Sequence, residues 1–152
     1  MKITEFIPQN GIFCEIRARD KWAFFSEVSK ALARALNRPA EEIERVLVER
    51  ERLSTTAIGN EVAIPHSRMS GLEKMVVAVA RKKEGLDFEA LDKKPVKLIF
   101  VVLAPEGEAN TYLKTLAYLA RILSNEEIKK KLLEAPSEKE ILKILDEVEY
   151  EY

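Results

Sequence analysis

The sequence predicts an α/β or α+β sandwich built on a small mixed sheet, and three features carry that prediction. The first third holds two amphipathic helical patterns, the middle holds two apolar strand-like runs, and the last third returns to helical spacing. Elements with one apolar face must bury it against a second layer, and this order of patterns sets helices against a sheet.

Ile12 to Arg17 is an alternating segment in which Cys14 is expected to pack in the core, as free cysteines most often do. From Asp20 to Leu36, the residues Trp22, Phe25, Val28, Leu32 and Leu36 recur at helical spacing, with Asp20 placed to cap the N-terminus. Pro39 suits the first position of a second helix, with Glu41 and Glu42 near the positive end of its dipole, running to about Arg52. Ser54 to Asn60 breaks the periodicity. A short strand-like segment, Glu61 to Ile64, then delivers the chain to Pro65 and His66.

Met75 to Arg81 and Val96 to Leu103 are the stronger strand candidates, the second apolar on both faces as a central strand requires. Lys82 to Pro95, with Gly85 and charges around Phe88 and Leu91, reads as a connection carrying a short structured piece. Asn110 to Leu123 is a helical pattern that puts Leu113, Leu116, Ala117 and Ala120 on one face. Ser124 with Glu127 matches a capping box, and Ser137 with Glu140 matches another that opens a last helix through Leu145.

The 152 residues suit a single domain, 1–152, of a size that buries about 68–70% of its unfolded surface. A composition 47% hydrophobic and 34% charged excludes a disordered tail, and 25 basic against 26 acidic residues give no electrostatic case for nucleic acid. Apolar stretches such as Leu98 to Ala104 fall far short of the roughly 20 residues that cross a bilayer. Met1 to Asn10 lacks the basic start and apolar run of a signal peptide, so a cytoplasmic protein without membrane insertion is expected. One Cys and one His exclude an internal disulfide and a zinc site of the Cys/His type. Gln9 is the lone glutamine among abundant Glu, Lys and Arg, a bias reported for heat-adapted proteins.

The chemistry is concentrated in Glu49 to Arg68, ERERLSTTAIGNEVAIPHSR, where one imidazole follows a proline among small polar and basic residues. A neutral imidazole is nucleophilic near pH 7, which suits it to phosphoryl transfer. A phosphoryl group brings close to two negative charges and needs donors: Arg50 or Arg68 as guanidinium clamps, the Ser54, Thr55 and Thr56 hydroxyls, and backbone N–H groups near Gly59. The same residues also fit a surface loop beside a solvated helix end, and spacing alone does not choose between the two. Ser-His-Asp hydrolysis has no GxSxG elbow to support it, and no GxxxxGK[ST] loop is present for a nucleotide.

This stretch resembles the active-site region of the fructose/mannitol-type EIIA domains of the bacterial phosphoenolpyruvate:sugar phosphotransferase system, including the nitrogen-regulatory EIIA proteins. The family pattern is an Arg-Glu pair, Ser/Thr residues, an Ile-Gly-Asn-Gly turn and a hydrophobic-Ala-Ile-Pro-His ending. It stands here as Arg50, Glu51, Ser54, Thr56, Ile58, Gly59, Asn60, Ala63, Ile64, Pro65 and His66. The likeness runs over nearly the whole chain, with Ala104-Pro105 closing an apolar strand and TYLKTLAYLARIL in the place of the family's next helix.

The resemblance implies an α/β fold with a mixed β-sheet flanked by helices on both sides. It also implies that His66 accepts a phosphoryl group from the phosphocarrier HPr, that Arg50 neutralises charge developing during transfer, and that Ser54 and Thr56 are supporting donors. No metal and no cofactor are implied. Two positions depart from the pattern: Glu61 replaces the second glycine of the turn and adds a carboxylate near the expected phosphate site, and Tyr112 stands where many members carry a second histidine. Tyr112 is either a donor to the phosphoryl group or ordinary helix packing. The implied role is a stand-alone, nitrogen-regulatory phosphocarrier acting on a regulated protein. The alternatives are the EIIA component of a sugar permease, which passes phosphate to a IIB domain, or a degenerate binding domain without transfer.

Overall fold

In the computed structural model, which describes residues 2–149, a 3-10 turn at Ile3–Phe6 and strand β1 (Ile12–Phe13) precede helix α1 (Lys21–Leu36). Asp20 caps α1 by accepting the Ala23 N–H at 2.9 Å, and Asn37 ends it in the left-handed conformation that asparagine tolerates. Helix α2 (Ala40–Leu53) starts one residue later than expected, with Pro39 as its extended cap. Five strands then follow: the short β2 (Ala57–Gly59), β3 (Val62–Ala63) and β4 (His66–Arg68), and the long β5 (Val76–Leu86) and β6 (Val96–Ala104). Helices α3 (Ala109–Leu123), α4 (Glu126–Glu134) and α5 (Glu138–Glu149) complete the described chain.

The sheet is mixed, with order β1-β5-β6-β3-β2 and β4 also on β6. The long antiparallel pair β5 and β6 is its centre, and β3 and β4 lie parallel to β6 one after the other along the same edge. Pro65 interrupts them because it has no N–H to donate, yet its carbonyl still accepts from Val102 N at 2.8 Å, so the track continues.

Alternation along the central strands builds two cores. Val77, Val79, Leu98, Phe100 and Val102 point to the side of α3, α4 and α5, whereas Val76, Ala78, Ala80, Ile99, Val101 and Leu103 point to α1 and α2. Phe24, Phe25 and Leu32 of α1 and Ile43 and Leu47 of α2 are fully buried there, each such side chain contributing about 1.5–3 kcal/mol. Helices therefore flank the sheet on both sides, as the resemblance implies.

Several local expectations change in the fold. Trp22 is 38% exposed on the rim, and Phe24 takes its place in the core. The buried face of α3 is rotated: Leu113 is 61% exposed and Ala117 faces solvent, while Tyr112, Thr115, Tyr118 and Leu119 meet the sheet. The cap of α4 is Asn125, whose side chain accepts the Glu127 and Ile128 N–H groups, because Ser124 instead donates back to the Arg121 carbonyl. Ser137 does accept the Glu140 N–H, and α5 runs four residues past Leu145 to Glu149. Only Ile12 and Phe13 of the alternating segment pair, and Cys14 is half-buried against the core. Strand β5 continues through the expected connection, with an irregularity between Arg81 and Leu86 and Gly85 at φ 83°. The buried Arg81 guanidinium donates to the Leu132, Leu133 and Ala135 carbonyls and so caps the end of α4.

Candidate functional site

His66 opens β4 opposite Val102, near the carboxyl end of the parallel strand β6. Ligands favour that edge of an α/β sheet. Its Nδ1 lies 2.7 Å from the Ile64 carbonyl, which can only accept, so Nδ1 carries the proton and Nε2 keeps its lone pair. Nε2 has no hydrogen-bond partner among the described residues and is not a buried atom. Burial of the ring, and then the nearby Arg50 charge, hold the imidazole pKa below its ordinary 6.5, against the opposing pull of the Ile64 carbonyl and Glu51. The ring is thus neutral at pH 7, the state a nucleophile needs.

The other expected residues come from three elements. Arg50, in the last turn of α2, donates through Nη1 to the Ser54 carbonyl at 3.0 Å and reaches the Ser54 hydroxyl at 3.5 Å. Tyr112, in the first turns of α3, is buried, with its ring centroid 6.0 Å from that of His66 at 61°. Burial raises the phenol pKa, which keeps its proton available for donation. Arg68, exposed at the end of β4, lays its guanidinium 5.6 Å from the Tyr112 ring centroid. His66, Arg50, Ser54, Tyr112 and Arg68 therefore share one edge of the sheet.

Thr56 does not face this edge. It is 4% exposed, its hydroxyl donates to Glu51 at 2.5 Å, and its N–H bonds both oxygens of the same carboxylate at 3.1 Å. Thr55 is also spent locally, accepting from Ala57 N at 3.1 Å. Glu51 itself, at 3% exposure, pairs with buried Lys21 at 3.1 Å. Its sequence signal was the helical phase: it follows Ile43 and Leu47 by four-residue steps on the buried face of α2.

The Gly59 turn lies elsewhere too. Glu61 sits beside the start of β6, where its carbonyl accepts from Lys97 N and Leu98 N, whereas His66 faces Val102. Five strand residues separate these levels, roughly 16 Å. The Asn60 N–H is taken by Asp92 at 2.9 Å, so the turn amides are no donors for His66. Glu61 adopts φ 71° without being glycine, and its carboxylate pairs with Lys97 at 3.0 Å and Lys129 at 3.6 Å. The expected carboxylate beside the phosphate site is absent from it for that reason. Among the described residues no group of three or more His, Cys, Asp or Glu side chains is placed to hold a metal ion.

A neutral imidazole with one free nitrogen, set beside two guanidinium groups, a hydroxyl and a phenol, has the donors and the nucleophile that a phosphoryl group requires. Residues 5–148 match the family described as "Phosphoenolpyruvate-dependent sugar phosphotransferase system, EIIA 2". The chain belongs to that family. A nitrogen regulatory protein of Bradyrhizobium diazoefficiens is 38% identical over 132 residues, covering 87% of this chain and 86% of that protein. The fructose-specific EIIABC component of Bacillus subtilis is 37% identical over 149 residues, which are 97% of this chain but 23% of that protein. The crystal structure of nitrogen regulatory protein IIA-Ntr from Neisseria meningitidis superposes with a TM-score of 0.89 at 34% identity, covering 94% of this EIIA chain and 98% of that one. No described helix of this EIIA protein is long and apolar enough to cross a membrane.

Proposed function

We propose that this EIIA protein is a cytoplasmic phosphocarrier that takes a phosphoryl group from HPr onto Nε2 of His66 and acts in nitrogen-type regulation. The observation that carries the reading is the 2.7 Å contact of Nδ1 with the Ile64 carbonyl, which leaves Nε2 as the nucleophilic nitrogen. In the transfer, the Nε2 lone pair forms a bond to phosphorus as the bond to the donor imidazole breaks and that imidazole keeps its electron pair. Arg50 neutralises charge on the equatorial oxygens, with Arg68, the Ser54 hydroxyl and the Tyr112 phenol as further donors. Once formed, phosphohistidine places close to two negative charges at this edge of the sheet and changes what protein surface can dock there.

The regulatory reading is supported by the relative named a nitrogen regulatory protein, whose length this chain nearly matches. The fructose-specific relative favours a second reading, transfer to a IIB domain of a sugar permease.

Incubation with phosphoenolpyruvate, enzyme I and HPr, followed by mass spectrometry, tests the carrier reading. The expected result is an acid-labile phosphoryl increment that is lost in His66→Ala. No increment in the wild-type protein with a competent HPr would overturn it and leave a binding domain without transfer.

A further inference from the structure

The carrier reading leaves the buried Glu51 without a role. Its carboxylate receives the Thr56 N–H, the Thr56 hydroxyl and the Lys21 ammonium, and from Thr56 two routes lead to the site. On one, the Thr56 carbonyl accepts from Ile64 N–H at 3.0 Å, and the Ile64 carbonyl in turn accepts the His66 Nδ1 proton at 2.7 Å. On the other, the Ser54 carbonyl, two residues before Thr56, holds Arg50 Nη1 at 3.0 Å.

A buried ion pair is weak evidence for stability, because a well-packed apolar pair of the same volume often does as well. Charge-assisted hydrogen bonds do supply fixed geometry, and here they converge on the one residue that connects both reacting partners. Lys21 is held in place in its turn, with its ammonium 4.9 Å from the Trp22 ring centroid and 3.9 Å from Glu89.

We propose, on the basis of the carrier reading, that Glu51 is a positioning residue whose carboxylate locks Thr56 and thereby sets Arg50 and His66 Nε2 for in-line transfer. Glu51 does not touch the phosphoryl group. Small misplacement of a reacting pair costs rate far more than it costs binding, which makes the effect readable in turnover. The charged and titratable groups that bear on the imidazole are Arg50 and Glu51 from α2, Arg68 from its own strand and Tyr112 from α3.

The test is single-turnover transfer from phosphorylated HPr to the wild type, Arg50→Ala, Glu51→Gln and the double variant, with nitrogen-15 NMR of the His66 tautomer and thermal melting of each. Glu51→Gln keeps an acceptor oxygen but loses the charge. It is expected to lower the saturating rate about 10- to 100-fold with KM for phosphorylated HPr within about twofold. In the Arg50→Ala background its loss should be smaller, as for residues that act through one another. The Nδ1–H tautomer of the wild type should give way to a mixture.

A folded Glu51→Gln protein with an unchanged rate and tautomer, or with losses that simply multiply those of Arg50→Ala, would overturn the proposal. If Glu51→Gln does not fold, Thr56→Val and Lys21→Met/Glu51→Gln carry the same readouts. A wild type that accepts nothing from phosphorylated HPr would instead sink the carrier reading, and the tautomer would still decide whether Glu51 orients His66.

Discussion

The two ends of β6 treat charge in opposite ways. At its start, Glu61 meets Lys97 and Lys129, and Lys129 meets Glu126 at 3.2 Å and the Asn60 carbonyl at 3.0 Å. At its far end, Arg50 and Arg68 form no ion pair among the described residues; one lies against Ser54 and the other over the Tyr112 ring. A cation already matched to a carboxylate ties elements together, whereas one left unmatched keeps its field for an anion that arrives. One segment, from Asn60 to Arg68, threads both ends, so a few residues separate the tied end from the open one.

The largest effect expected is at the open end. Arg50→Ala should slow phosphoryl transfer about 100-fold, or about 2.7 kcal/mol, with the melting temperature nearly unchanged; a melting point that falls with the rate would break the contrast.

Acid should then separate the two ends. The proposed transfer uses neutral His66, whose pKa lies below 6.5, so the transfer rate should be flat from pH 7 to 8 and fall about tenfold per unit only below the folded pKa. The linked stability is present above pH 6.5, the unfolded value, and is lost as pH falls through the folded pKa. The Glu61 pKa is lowered, chiefly by its hydrogen bond from Lys97, so its contribution persists above its ordinary 4.5 and is lost only as pH falls through its still lower folded value. Melting followed against pH should therefore weaken in two windows.

At the tied end, Lys129→Ala leaves Glu61 and the Asn60 carbonyl short of a buried donor. It should cost about 1–3 kcal/mol of stability in a denaturant titration and leave transfer within twofold. Glu61→Gly is expected to do least. Glycine relieves about 1–2 kcal/mol of left-handed strain while the part-exposed pairs lost are worth about 0–1 kcal/mol each, so stability should change by about 1 kcal/mol or less and transfer not at all. A large loss of transfer in Glu61→Gly would mean that the ends are coupled.

The site was more legible in the sequence than its support. His66, Arg50 and Ser54 stand in a motif whose chemistry is carried by residue type, and all three lie on one edge. Thr56 has the right chemistry and the wrong address, because its hydroxyl is turned inward by a carboxylate five residues earlier. The strand nature of His66 was hidden by Pro65, which breaks a three-residue strand from its predecessor and makes both too short to show alternation. Trp22 and Leu113 misled the phase of two helices, since large apolar residues at a site's rim or a helix's outer face carry the same period as the core.

By itself the sequence determined the layered α/β fold and the central place of Val96 to Leu103, and it singled out His66 as the candidate imidazole, because hydrophobic period and residue chemistry are local properties of the chain. Only the tertiary structure decided that Nε2 is the free nitrogen, that Glu61 belongs to the start of β6, and that the buried Glu51 carboxylate holds Thr56 from inside. Those three depend on which strand level each residue reaches and which carbonyl or cation it meets there, and such meetings are set by pairing register across the sheet, to which residue type is blind.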